Sequence, residues 1–236
     1  MKNKKVKTIN KPIIIITGCA RSGTSMTAGI IELCGGWGGE LCGPTTFNPK
    51  GQFENVSIVR GLIKPFLKDM GYDPMGQKPL PDPTVINAIA TDAYCKQFRE
   101  KIEAEVIRQG GENNDRRFFY KGAKVCLIWQ LWAKAFPDAQ WIITSRRDRL
   151  IISSCHNTRF MKKYDTNEGW QEWIDYHKDR FKEMDDTGLD ISYVDTEKLV
   201  HGNQDEMRAA IDNLGLEWNQ AKIDDFIDID IWQTVK

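Results

Sequence analysis

Ile13-Ile14-Ile15-Ile16-Thr17-Gly18-Cys19-Ala20-Arg21-Ser22-Gly23-Thr24-Ser25 is the stretch that decides the fold. Four consecutive β-branched residues behind Pro12 predict a short strand buried on both faces, as in a parallel sheet. Gly18 and Gly23 then bound a tight turn, and Thr24 to Leu33 continues as a helix with Met26, Ile30, Ile31 and Leu33 apolar. In that geometry the amides of Ser22 to Ser25 converge on an anion at a helix N-terminus. The stretch fits the phosphate-loop pattern G-x-x-x-x-G-K-[S/T] except that Thr24 stands where the lysine belongs, and the nearby cation is Arg21, inside the loop. Kinases and nucleoside triphosphatases need that lysine on the β- and γ-phosphates, so its absence argues against their chemistry. A phosphate ester remains the expected ligand.

Outward from this unit, Gly35 to Phe53 is a long Gly-, Pro- and Thr-rich loop, and Trp37 and Phe47 in it suggest a substrate-facing wall. Glu54 to Met70 reads as an amphipathic helix that accommodates Pro65. Four prolines between Tyr72 and Pro83 make a surface loop or lid. Thr84 to Gln109 reads as one long helix, with Ile86, Ala90, Tyr94, Phe98, Ile102 and Val106 at intervals of four. Residues 54 to 111 are thus expected as a helical insertion beside the sheet. Strands are predicted at Phe118 to Lys121, Trp141 to Ser145 and Ile191 to Val194. Helices are predicted at Cys126 to Phe136, Leu150 to Phe160, Gly169 to Met184 and Asp205 to Leu214. Strands alternating with helices imply a parallel sheet, here a three-layer α/β/α domain over residues 12 to 236 behind a basic tail, residues 1 to 11, expected to be disordered.

Composition narrows the class. A chain of 236 residues, 41% hydrophobic and 28% charged, suits one soluble domain. Lys and Arg balance Asp and Glu at 33 each, so no global field draws nucleic acid or an anionic membrane. No apolar run spans a bilayer, and Met1 to Lys11 lacks the apolar centre of a signal peptide. The six cysteines show neither C-x-x-C pairs nor a metal-ligand rhythm with His156, His177 or His201, and are expected as reduced thiols in a cytoplasm, with no metal. His177 is read as a partly buried surface residue and His156 as packed in its helix.

The second informative stretch is Trp141-Ile142-Ile143-Thr144-Ser145-Arg146-Arg147-Asp148-Arg149, followed by Ser154. A strand delivers Arg146 at its C-terminal end, where ligands of open α/β sheets bind, and a helix presents Ser154 eight residues later. An arginine fork and a hydroxyl suit a phosphate monoester, with Asp148 as a cap or salt-bridge partner.

Taken together, R-S-G-T-S at 21 to 25, Arg146 with Ser154, Asn48-Pro49-Lys50-Gly51-Gln52-Phe53-Glu54, Tyr193 to Leu199 and Leu214-Gly215-Leu216 resemble blocks of the sulfotransferase family, particularly its bacterial-type members. The resemblance implies a phosphate-loop-like α/β fold and 3′-phosphoadenosine 5′-phosphosulfate as donor. It further implies in-line passage of the sulfuryl group, without a metal, to a hydroxyl or amine of a small-molecule, glycan or peptide acceptor. It implies donor binding by Arg21, Ser22, Gly23, Thr24, Ser25, Arg146 and Ser154, with Arg21 also stabilising charge in the transfer. Cytosolic members carry a histidine base just after the strand matching Phe118 to Lys121. Lys121-Gly122-Ala123 stands there, which leaves Glu54 as replacement base and Lys121 as a second catalytic candidate. Two alternatives stay open: a kinase-like nucleotide enzyme, and a nucleotide-binding protein without turnover. Acceptor and oligomeric state are not legible.

Overall fold

The computed structural model describes residues 9, 11–111 and 114–233. The expected tail thus lies outside it apart from Ile9 and Lys11. Strands β1 (Ile14–Gly18), β2 (Gly36–Trp37), β3 (Arg117–Lys121), β4 (Gln140–Ser145) and β5 (Asp190–Asp195) form one sheet in the order β2-β3-β1-β4-β5, with every neighbouring pair parallel. The helices are α1 (Thr24–Leu33), α2 (Val56–Ile58), α3 (Lys64–Asp69), α4 (Pro83–Ile89), α5 (Asp92–Arg108), α6 (Trp129–Ala135), α7 (Asp148–His156), α8 (Asn167–Asp185), α9 (Thr196–Val200), α10 (Asp205–Asn213), α11 (Gln220–Phe226) and α12 (Ile229–Gln233).

The isoleucine run explains why β1 is central. Ile13 and Ile15 enter the core on one face with α5 and α6, and Ile14 and Ile16 enter the other with α1, α10 and α11. Each such side chain contributes roughly 1.5–3 kcal/mol by leaving water, and a strand buried on both faces has no place at an edge. Ile58, Ile63, Leu67 and Ile86, from helices between residues 54 and 111, share the core of Ile13 and Ile15. A third cluster, built on Cys19, Ile151, Trp170 and Trp173, holds α7 and α8 beside the C-terminal end of β1. The chain leaves β1 toward β2 on one side and passes from β3 to β4 on the other, so a crevice opens above β1 at the strand ends.

Several elements differ from the sequence expectation. The helix read from Thr84 to Gln109 is two helices, because Ala90 leaves helical geometry and the Thr91 hydroxyl accepts from Tyr94 N, capping α5. The helix before Met70 widens into a π turn at Val59–Ile63, where Lys64 N–H donates to Val59 O. This turn absorbs Pro65, which lacks an N–H. The segment Val125–Ile128 is a 3₁₀ turn ahead of α6, and α7 ends at His156, short of Phe160. Trp37 packs against Phe118 with ring centroids 5.9 Å apart, away from any substrate wall. His156 is exposed and lies 3.0 Å from Asn167 Oδ1.

His177 is also corrected: it is 1% exposed, and its Nδ1–H donates to Trp173 O at 2.7 Å. Burial pushes its pKa from 6.5 to about 4, with Arg180 adding to the effect. The unfolded chain therefore binds a proton that the folded chain refuses between those values, so stability should fall as pH drops from 6.5 toward 4. The full difference is about 3 kcal/mol. Urea unfolding across that range checks this, and His177→Asn should flatten the slope. An unchanged slope would assign it to other groups.

Candidate active site

The turn after β1 is held by close packing that excludes larger residues. Gly18 and Gly23 adopt φ of +155° and +93°, and a Cβ on them would lie 2.3 Å from Thr144 Oγ1 and 2.7 Å from the Thr196 side chain. Arg21 also has positive φ, 73°, an uncommon conformation for a residue with a side chain. Ser22 is buried, with its Oγ 2.7 Å from both Cys19 O and Thr144 Oγ1. Thr196 Oγ1, 2.8 Å from both Ser22 O and Ser145 O, pins the turn to the end of β4. The first α-helical bond of α1 is Thr27 N to Gly23 O. The amides ahead of it, at Thr24, Ser25 and Met26, have no partner one turn back.

These amides border a cavity of about 330 Å³ at the strand ends. Arg21 and Arg146 stand at one part of its wall. Arg21 Nε donates to Ser154 Oγ at 2.8 Å, and its terminal nitrogens approach Phe47 O at 3.3 Å. Arg146, directly after β4, donates to Arg21 O at 3.2 Å and lies 3.9 Å over the Trp232 ring. Its Nε is buried without a partner. Burial lowers the pKa of both arginines, that of Arg146 to about 10, where Arg21 and Arg147 add repulsion. Among the described residues neither has a carboxylate within 4 Å. Their neighbour differs: Arg147 grips Glu197, with Nε 2.6 Å from Oε2. Asp148 pairs with Lys178 at 2.5 Å. The Arg-Arg-Asp run is thus divided, one arginine facing the cavity and the rest closed among partners.

Glu54 stands elsewhere on the wall. Its carboxylate lies 3.7 Å from Lys121 Nζ and 3.6 Å from Lys124 Nζ. Burial alone would raise its pKa, but Lys124, Lys121 and Lys64 outweigh it and hold the carboxyl below 4.5. Lys121 is 6% exposed, and burial lowers its pKa against the opposing pull of Glu54. Phe47 and Phe160 meet edge to face at 5.9 Å on the same wall, with Met75 and Met161. Gln77, 2% exposed, fixes this side by donating to Phe160 O and accepting from Lys162 N and Lys163 N. Lys50 donates to Phe226 O at 2.6 Å, tying the loop before Glu54 to the end of α11.

Of the candidates named from sequence, Arg21, Gly23, Thr24, Ser25, Glu54, Lys121 and Arg146 share this cavity. Ser22 and Ser154 lie behind it, 1% and 0% exposed, the one bracing the turn and the other bracing Arg21. Lys64, Lys124, Thr196 and Trp232 were not foreseen. Thr196 lies within the Tyr193 to Leu199 block, whereas Lys64 is turned to the cavity by the π turn, which no periodicity announces. Among the described residues no group of three or more His, Cys, Asp or Glu could hold a metal, and no helix is long and apolar enough to cross a membrane.

No curated protein matches the chain. Several solved structures share the fold. The sulfotransferase domain of the Synechococcus PCC 7002 olefin synthase superposes with a TM-score of 0.55 at 16% identity, over 98% of this chain and 82% of that one. A sulfotransferase of Mycobacterium tuberculosis gives 0.52 at 13% identity, over 95% and 70%. The model of the sulfotransferase family matches residues 12–220. With its glycine turn, parallel sheet and basic cavity in place, the chain belongs to the sulfotransferase family.

Proposed function

We propose that the protein transfers a sulfuryl group from 3′-phosphoadenosine 5′-phosphosulfate to a hydroxyl or amine of an acceptor. The observation that carries this reading is the meeting of Arg21, Arg146 and the first amides of α1 on one cavity, with no acid paired to either arginine among the described residues. The buried, unpartnered Nε of Arg146 and the two-arginine donor set fit a nucleotide carrying phosphates at both ends. Arg21 and the amides of Thr24 and Ser25 hold the 5′ end. Arg146 holds the 3′-phosphate, and Ser154 keeps the Arg21 fork aimed. Once bound, the donor supplies the sulfuryl group, whose bond to the 5′-phosphate oxygen breaks as the bond to the acceptor oxygen or nitrogen forms. Glu54 takes the acceptor proton, and Lys121 and Arg21 stabilise charge on the sulfuryl and bridging oxygens.

Calorimetric titration with adenosine 3′,5′-bisphosphate, compared with ATP and magnesium, tests the donor site. The bisphosphate should bind without magnesium, and Arg146→Ala should weaken it about 100-fold, since charged hydrogen bonds are worth roughly 1.5–3 kcal/mol each. Binding of magnesium ATP in its place would return the site to kinase-like chemistry.

A further inference from the structure

The cavity carries more positive charge than the donor uses, and the surplus stands around Glu54. Lys121 and Lys124 face that single carboxylate at 3.7 and 3.6 Å, and Lys64 stands on the same wall. Three ammonium groups therefore meet one acid. The other charged groups of the wall do not relieve this. Lys50 is satisfied by the carbonyls of Asp225 and Phe226. Asp228 belongs to the segment that lays Trp232 over Arg146, and it makes no ion pair with any of the lysines.

Enclosed ammonium groups lacking a counter-charge are costly. The side chains of Lys121 and Lys124 are only 7% and 10% exposed. Lys64 is half-buried, and among the described residues it has no carboxylate within 4 Å. Burial and the nearby Lys124 both push its pKa down, as befits an ammonium short of an acid. The backbone is bent to bring it here: Lys64 closes the π turn Val59–Ile63, a deformation that recurs at functional sites. The same wall carries the Phe47–Phe160 pair and Met161, which offer an apolar surface.

The geometry points to an acceptor that bears an anionic oxyacid group, a carboxylate or a phosphate, on an apolar body. Lys64 and Lys124 hold the anion, Phe47 and Phe160 flank the body, and the group to be sulfated lies against Glu54 and Lys121. This inference rests on the donor reading above, which gives the arginines to the nucleotide and leaves the lysines to the acceptor.

The experiment is calorimetry on the full chain saturated with adenosine 3′,5′-bisphosphate. It is titrated with two matched pairs: 4-hydroxyphenylacetate against its methyl ester, and phenyl phosphate against phenol. At least one anion should bind about tenfold or more tighter than its neutral partner, and the two pairs tell carboxylate from phosphate preference. Lys64→Met with Lys124→Met should bring that preference within about twofold while leaving bisphosphate affinity unchanged. If the double variant does not fold, Lys64→Gln alone, at the half-buried position, should lower the preference severalfold. Equal or tighter binding of both neutral partners, no binding of either anion up to its solubility limit, or a preference that survives removal of the lysines would overturn the inference. Failure of the bisphosphate to bind would instead count against the donor reading. The anion titrations are then run on the nucleotide-free protein, where dependence on Lys64 and Lys124 is judged by the same outcomes.

Discussion

Glu54→Gln is expected to lower kcat by about 10²–10⁴-fold, the usual contribution of a positioned general base, while leaving bisphosphate affinity unchanged. A carboxylate held below 4.5 by Lys124, Lys121 and Lys64 is a weak base, which places the effect toward the lower end of that range. The same shift fixes the pH profile. Glu54 must be ionised to accept a proton, so kcat/KM should persist on acidification past the ordinary glutamate value of 4.5. A histidine base would lose activity near 6.5. On the alkaline side Lys121, lowered by burial, should shed its charge before 10.5 and take activity with it. Steady-state rates across pH on wild type and Glu54→Gln check both limbs, and an acid limb near neutrality would remove Glu54 from the role. The neutral glutamine also leaves three lysines facing no acid, so the thermal midpoint should fall, and Glu54→Asp should recover stability more fully than activity.

Arg21→Ala should weaken bisphosphate binding at least 100-fold and lower kcat/KM by about 10³, because one side chain serves both ground state and transition state. The fork is braced before any ligand arrives, by Ser154 at 2.8 Å and by the Phe47 carbonyl, so a donor meets an oriented guanidinium. Arg21→Lys should recover little of the loss, since an ammonium reproduces the charge but not the planar fork. Arg21→Gly should be the most stable of the three variants, because glycine accepts φ of 73° without strain. Calorimetry, initial rates and thermal melts separate these effects. An Arg21→Ala protein that binds the bisphosphate normally would place the donor elsewhere.

What was legible in the sequence is what local chemistry dictates. Four isoleucines can only be an interior strand, and two glycines five residues apart fix a turn whose geometry follows from its own residues. Arg146 and Ser154 were legible through their spacing, although the serine proves to brace Arg21 from behind. The break at Ala90 was hidden because an apolar series at intervals of four runs across it, while the deciding signal was a single capping threonine, Thr91. Lys64 and Lys124 could not be read, because their importance lies in facing Glu54 across the fold, and one arrives there through a π turn. Trp232 is a case of the same kind: a residue near the chain's end meets Arg146 only through tertiary packing.

The wall of the cavity gathers six basic residues against two acidic ones, in a chain whose full complement of charges cancels at 33 of each sign. The rest of the chain therefore carries the opposite excess, and the cavity is a local concentration of positive charge on a chain that is neutral as a whole. A local field of this sign favours the approach of a polyanion to the open ends of the strands. The rate constant for binding an anion there is expected to fall as ionic strength rises, since such a field fades within about 8 Å at physiological salt.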